Sequence, residues 1–504
     1  MQADDVMMAG TAGGDKVNSV VERPRALRFA IIGAGMAGIL SAIKLKERGL
    51  TDFTVFEKAD RVGGTWRENT YPGLSCDVPS HLYSYSFAPT PEWSHRFSPG
   101  EEIRAYFERV AREHGVVDDI RFGDEVTSCR FVDGRWHIET AAGHHDVADV
   151  AIAATGVLHH PRYPDFDGLE EFEGAVFHSS CWDHDVVLDG ARIGIVGTGS
   201  TAVQMFAALI DRAGRLSLFQ RTAQWIMPQQ NLPYTNEEKA AFRSNPAQLT
   251  ELRANLTRAF DTFANAIVDA DSPEMTMIAE MCRENLEKNV HDPELRERLR
   301  PDYQAGCKRL IISPDFYGAI QRPNAELVTE RIERIEAKGV RTRDGKLHEL
   351  DVLVLATGFK TDAFMRPMSV TGRDGETLAE AWAARPRAYM SISIPGFPNF
   401  FMLNGPNGPV GNFSLIEVAE LQFDYIMQLV DHLRSGECCE VSATRAAMEQ
   451  HEAAREEAVK KTVWVTGCRS WYLDDRGIPA TWPWSFDRFR AEMQTPREAA
   501  YEYR

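Results

Sequence analysis

The chain has 504 residues, too many for one ordinary core, so two or three domains are expected. Hydrophobic residues at 43% and charged residues at 26% are those of a soluble globular protein. A formal net charge of −18, from 56 Lys+Arg against 74 Asp+Glu, disfavours phosphate backbones and anionic membranes, so no nucleic acid and no membrane is an expected partner.

The first residues, MQADDVMMAGTAGGDK, carry acids where a signal peptide needs bases, so residues 1–25 are expected as a flexible tail of a cytoplasmic protein. Arg28-Phe-Ala-Ile-Ile32 then reads as a buried strand, Gly33-Ala-Gly-Met-Ala-Gly38 as a tight turn, and the run to about Arg48 as a helix. Phe53-Thr-Val-Phe-Glu57 is the next strand. The module recurs: strand Arg192–Val196, turn Gly197-Thr-Gly-Ser-Thr-Ala202, a helix, and strand Leu216–Phe219. Short alternating strands around 126–139 and 325–342 read as antiparallel excursions, one inside each module. Each module closes on a buried strand ending in Ala-Thr-Gly, at Gly156 and Gly358.

Between the halves of the second module lies a helical insert, 231–301. Leu249, Leu252, Leu256, Phe260, Phe263 and Ile267 share one face of a helix, and Ser272-Pro273 and Asp292-Pro293 are N-cap and first-turn signals for two more. The fold class is therefore α/β: two Rossmann-like dinucleotide-binding domains plus a helical insert. The expected boundaries are 26–165 and 346–504 for the first domain, and 166–230 and 302–345 for the second.

The residue ending each second strand separates the two nucleotides. Glu57 follows Gly33 by 24 positions, where a carboxylate accepts from ribose hydroxyls and repels a 2′-phosphate. The same count from Gly197 reaches Arg221, which pairs with a 2′-phosphate and predicts NADPH over NADH. In both turns the backbone, at Gly33, Gly35 and Gly38 and at Thr198, Gly199, Ser200, Thr201 and Ala202, is placed to approach a pyrophosphate at a helix N-terminus, with Gln204 and Thr222 nearby. Gly63-Gly64-Thr65-Trp66 followed by Tyr71–Pro79, which includes Asp77, resembles the segment lying along FAD in flavoproteins with two such domains; Tyr83 is a further expected contact.

Phe172-x-Gly174-x-x-x-His178-x-x-x-Trp182-Asp183, in the linker between the modules, matches in full the fingerprint of type I Baeyer–Villiger monooxygenases, class B flavoprotein monooxygenases. Fold markers extend the resemblance from about residue 28 to the C-terminus. It implies a cytoplasmic enzyme that uses FAD, NADPH and dioxygen to convert a ketone to an ester or lactone through a C4a-peroxyflavin. It further implies that Arg309 is the essential cation, Asp77 the acid that positions it, and Lys308 a nicotinamide-nucleotide contact. His178 would couple domain positions rather than transfer a proton. Trp471, in Ser470-Trp-Tyr472, falls where relatives carry a mobile lid, but the Leu473-Asp-Asp-Arg-Gly-Ile-Pro-Ala480 that follows departs from the usual Gly-x-Asn-x-Pro-Gly. Asn404-Gly-Pro-Asn-Gly408 is a candidate flavin-side loop.

Two other readings stand beside this one: an N- or S-oxygenating flavin monooxygenase, and a catalytically silent flavin-dependent sensor. The eight cysteines (76, 129, 181, 282, 307, 438, 439 and 468) include no C-x-x-C pair, which argues against a metal site and against a flavin disulfide reductase. They are expected to be reduced thiols. The sequence leaves open which ketone is used and the oligomeric state.

Overall fold

A computed structural model describes residues 25–411 and 413–504, so the expected tail lies outside them apart from Arg25. The chain opens with β1 (Phe29–Ile32), α1 (Met36–Glu47) and β2 (Phe53–Glu57), both strands buried throughout. A one-turn α2 (Thr65–Glu68) and α3 (Gly100–Glu113) lead to β3 (Ile120–Phe122). An antiparallel meander follows, β4 (Val126–Val132), β5 (Arg135–Thr140) and β6 (His145–Ala148), before β7 (Val150–Ala153) returns to the sheet beside β1.

The second module begins at β8 (Ala175–His178) and continues through β9 (Arg192–Val196), α4 (Ser200–Leu209) and β10 (Arg215–Phe219). After β11 (Ile226–Met227) come four helices: α5 (Asn236–Ser244), α6 (Pro246–Ala266), α7 (Pro273–Asn289) and α8 (Pro293–Arg298). The Ser272 hydroxyl accepts from Met275 N, and the Asp292 carboxylate from Glu294 N and Leu295 N, capping α7 and α8. On α6 the apolar face is buried at Leu249, with Ile267 buried just past its end; the positions between are half-buried. β12 (Ile311–Ile312) pairs in parallel with β11. Then come β13 (Ala325–Val328), an antiparallel trio β14 (Ile332–Glu336), β15 (Gly339–Thr342) and β16 (Leu347–Glu349), and β17 (Val352–Leu355). The chain finally recrosses to β18 (Ser369–Thr371), which extends the meander, and β19 (Phe400–Met402).

Two five-stranded parallel sheets result, in the orders β19-β7-β1-β2-β3 and β13-β10-β9-β17-β8. Both have the Rossmann-like arrangement in which consecutive strands cross over through helices. In each, the first glycine of the turn has φ in the left-handed region, +103° at Gly33 and +120° at Gly197. A Cβ there would lie 2.7 Å from Ala154 O and 2.3 Å from Ala356 O respectively. The paired Ala-Thr-Gly motifs are thus the backbone that passes against each turn, and only glycine admits it.

Three expectations need correcting. Residues 325–328 are not part of an antiparallel excursion: β13 is a parallel edge strand of the second sheet, and the excursion is confined to 332–349. A boundary at 346 divides β16 from β15 and leaves β17 in the wrong domain, whereas β17 sits between β9 and β8, so the chain stays in the second sheet through Leu355. Ala175–His178 is likewise no free linker but β8, hydrogen-bonded to β17 at the sheet edge.

Candidate active site

α1 and α4 share an uncommon start. Each begins on a glycine, with no side chain capping it and no acid in the first turn. The first-turn N–H groups of both helices are therefore left for an external anion, as a pyrophosphate requires. Beside the first turn, Glu57 is buried and its carboxylate accepts from Ala34 N (2.7 Å) and Ala59 N (2.9 Å), which fixes it at the turn with lone pairs to spare. A Cβ on Gly64 would stand 3.0 Å from Gly35 Cα, so the segment leading into Thr65 closes over the turn. Trp66 Nε1 donates to the Tyr83 hydroxyl at 3.0 Å, and the two rings meet edge to face.

The second turn is arranged differently. Thr198 Oγ1 donates to Thr222 O at 2.8 Å, which draws the turn toward the end of β10. Arg221 is exposed and has no carboxylate in ion-pair range among the described residues. Lys308 lies with its Nζ 4.7 Å from the Tyr303 ring centroid. Burial, and then the charge of Arg221, lower its pKa, so the two cations face the same space. Ser200 and Thr201 occupy the first turn of α4, and Ala202 is fully buried behind it. Gln204 has another role: its Nε2 donates to Ser75 O and Oγ, and its Oε1 accepts from Tyr71, tying α4 to the Tyr71–Pro79 segment.

Asp77 and Arg309, 232 positions apart, meet at the junction. Arg309 Nε donates to Asp77 Oδ2 at 2.8 Å and Nη2 to Oδ1 at 2.7 Å, while Nη1 donates to Gly411 O at 2.6 Å. The β11–β12 pairing sets this arginine just before the strand that ends the insert. Burial works against the guanidinium charge, but Asp77 outweighs it and the pKa is raised. Both side chains keep a face open, at 30% and 21% exposure. That face looks onto a pocket walled by Phe260 and Phe263 of α6, Ile267, Trp464 and Tyr472. A fixed cation against an apolar wall can stabilise negative charge that develops on a small uncharged ligand.

The Phe172–Asp183 motif resolves into packing and one tie. Phe172 folds over Gly174, where a Cβ would lie 2.4 Å from Asp351 O, and the Trp182 ring lies 5.0 Å from Phe177. Asp183 accepts from Asp185 N at 2.9 Å. His178 is wholly buried; its Nε2 donates to Gly358 O at 3.1 Å and its Nδ1 accepts from Ser180. Burial lowers its pKa, consistent with a neutral ring. The histidine thus bonds β8 to the point where the chain leaves the second sheet.

Sequence reasoning missed three contributors. Trp471 is 41% exposed and lies outside the pocket, whereas Tyr472 is buried and lines it beside Arg309. The Tyr472 ring rests on Gly411, where a Cβ would stand 2.3 Å from the phenol oxygen. The expectation of reduced thiols fails at one pair: Cys307 and Cys468, 161 positions apart, form a disulfide, and the other six cysteines are free. Spacing carries no signal of that bond; packing of the C-terminal segment against Gly306–Arg309 brings the sulfurs together. Among the described residues no group of His, Cys, Asp and Glu could hold a metal ion, and no helix is long and apolar enough to cross a membrane.

The flavin-binding monooxygenase-like profile matches residues 26–247. An uncharacterized monooxygenase of Mycobacterium tuberculosis is 47% identical over 475 residues, 94% of this chain and 96% of that protein. A Baeyer–Villiger monooxygenase of Streptomyces coelicolor is 40% identical over 487 residues, 94% of this chain and 92% of that protein. The crystal structure of cyclohexanone monooxygenase from Rhodococcus sp. Phi1 bound to NADP+ superposes with a TM-score of 0.84 at 28% identity, covering 95% of this chain and 99% of that one.

Proposed function

The chain belongs to the flavin-binding monooxygenase-like family, and on that premise we propose that it is an FAD-, NADPH- and dioxygen-dependent Baeyer–Villiger monooxygenase, which inserts one oxygen atom beside a ketone carbonyl to give an ester or lactone. The observation that carries this reading is the Arg309 guanidinium, clamped by Asp77 and turned toward an apolar pocket. FAD, when bound and reduced, supplies the activation of dioxygen. Arg309 stays charged at any working pH and stabilises the negative charge that grows on oxygen as the carbonyl is attacked. Asp77 sets the plane of the guanidinium. The aromatic wall shields the open face of the guanidinium; the cavity there is about 30 Å³, so a ketone enters only where the wall gives way.

The first turn, with Glu57, would hold FAD; the second, with Arg221 and Lys308, would hold NADPH through its 2′-phosphate. On this assignment the FAD domain comprises 26–165 and the chain after Gly358, and the NADPH domain comprises 166–230 and 302–358. The insert, 231–301, contributes the pocket wall. A relative named for the same chemistry and a similar fold bound to NADP+ support the reading.

The test is ketone-dependent NADPH oxidation by the purified yellow protein, with mass spectrometry of the products. Arg309→Ala is expected to keep NADPH-driven bleaching of the flavin while ester formation falls by about a hundredfold to a thousandfold. Full ester formation in that variant would overturn the assignment. Oxidation of thioethers with no ester from any ketone would favour the N- or S-oxygenating class instead.

A further inference from the structure

The Cys307–Cys468 disulfide joins the two segments that meet over the pocket. Cys307 stands two residues before Arg309, and Cys468 four before Tyr472. The surrounding cluster, which includes Ile267, Met275, Ile278 and Trp464, is apolar, and backbone bonds from Val463 N to Ile267 O (3.1 Å) and from Ala270 N to Lys461 O (2.9 Å) anchor the start of the C-terminal segment. Past Val463 the backbone bonds run within the segment as far as Tyr472, and apolar contact is non-directional, so the disulfide is the covalent tie that holds 464–472 against Gly306–Arg309. With it in place, Arg309 donates to Asp77 and to Gly411 O, and the Tyr472 ring rests on Gly411. The two sulfurs are not equally enclosed: Cys307 is fully buried, whereas Cys468 is 8% exposed and sits between exposed Gly467 and Arg469.

We infer that this pair is a thiol–disulfide exchange site, opened by a dithiol reductant, and that opening releases residues 464–472 from the Arg309 side of the pocket. A thiolate of the reductant attacks Sγ of Cys468, the less enclosed of the two residues; the disulfide breaks and Cys307 leaves as a thiolate that takes up a proton. The second thiol of the reductant then displaces Cys468. Two cysteines are reduced and the dithiol is oxidised to a disulfide. The inference rests on the proposed function only for what the released segment uncovers.

The experiment uses the FAD-loaded protein and needs no turnover. Denatured without reductant it should show six free thiols, and after dithiothreitol eight, with the two new alkylation sites at Cys307 and Cys468. Dithiothreitol should speed tryptic cleavage of the native protein after the exposed Arg469 by about fivefold or more, because the released segment opens locally, while cleavage after Arg476, ion-paired to Glu456, should change little. Cys468→Ser should be cut as fast as the reduced protein and no longer respond to reductant. Cys439→Ser, at an exposed free thiol, should show five thiols before reduction and seven after, the same gain of two, and be cleaved as the wild type is. Should Cys468→Ser not fold, the reductant series on the wild-type protein decides alone. Eight thiols before reduction, or a cleavage rate that reduction does not change, would overturn the inference. Either result leaves the monooxygenase reading standing, since that reading depends on Arg309→Ala and on product identity.

Discussion

The two glycine turns share strand order, first-glycine geometry and an uncapped helix, yet their surroundings differ. The first is sealed: Gly64 presses on Gly35, the Glu57 carboxylate is buried beside it, and the Trp66–Tyr83 pair stands over the segment beyond. The second is open: a Cβ on Gly199 would meet nothing within 4 Å, and Arg221 stands in solvent. A sealed turn suits a nucleotide that stays for the life of the protein, and an open one suits a nucleotide that comes and goes each cycle. The same motif can therefore serve residence or exchange, and its neighbours decide which.

The largest expected effect that would break the contrast is at Gly38. A Cβ there would fall 1.8 Å from Gly33 O, so the turn must deform. Gly38→Ala should yield protein with flavin content at least about tenfold lower, read from its visible spectrum. The matching position of the second turn already carries a buried methyl, Ala202, and Ala202→Gly should change the KM for NADPH by no more than about twofold. Next in size is Arg221→Ala, expected to raise the KM for NADPH by about 10- to 100-fold while flavin content and the KM for NADH hold steady. Among the changes expected to raise the KM for NADPH, the smallest is the most discriminating. Gly199→Ala has room in the protein, so its melting temperature should match the wild type, while a rise of about threefold in the KM for NADPH would register a ligand's backbone approach. Flavin loss on Gly199→Ala, or unchanged flavin on Gly38→Ala, would reverse the roles of the two turns.

What could be read beforehand follows from how local each signal is. β1, β2, β9 and β10 are short apolar runs followed by turns, and each lies where its residues indicate. The caps at Ser272 and Asp292 depend on the next three residues, and they too are legible. β13 is easily merged with the excursion because it is only four residues long and ends four residues before the antiparallel β14 begins, with no turn signal of glycine or proline between them. The Asp77–Arg309 pair was reachable only through family resemblance, since no pattern links positions 232 apart. Tyr472 and Cys468 escaped for the same reason: which side of a loop faces inward is set by what it packs against, here Gly411 and Cys307.

Between the two sheets the chain passes twice, and the crossings are bonded to each other: Pro161 bridges Phe359, Arg162 N donates to Gly358 O, and Lys360 N to His160 O, both at 2.8 Å. Two strands so joined form a flat ribbon, and a ribbon flexes readily about the axis across its width while resisting shear in its own plane. The passage between the sheets is thus a doubled strap rather than two separate tethers, and His178, bonded to Gly358 O, fastens the edge of the second sheet to it.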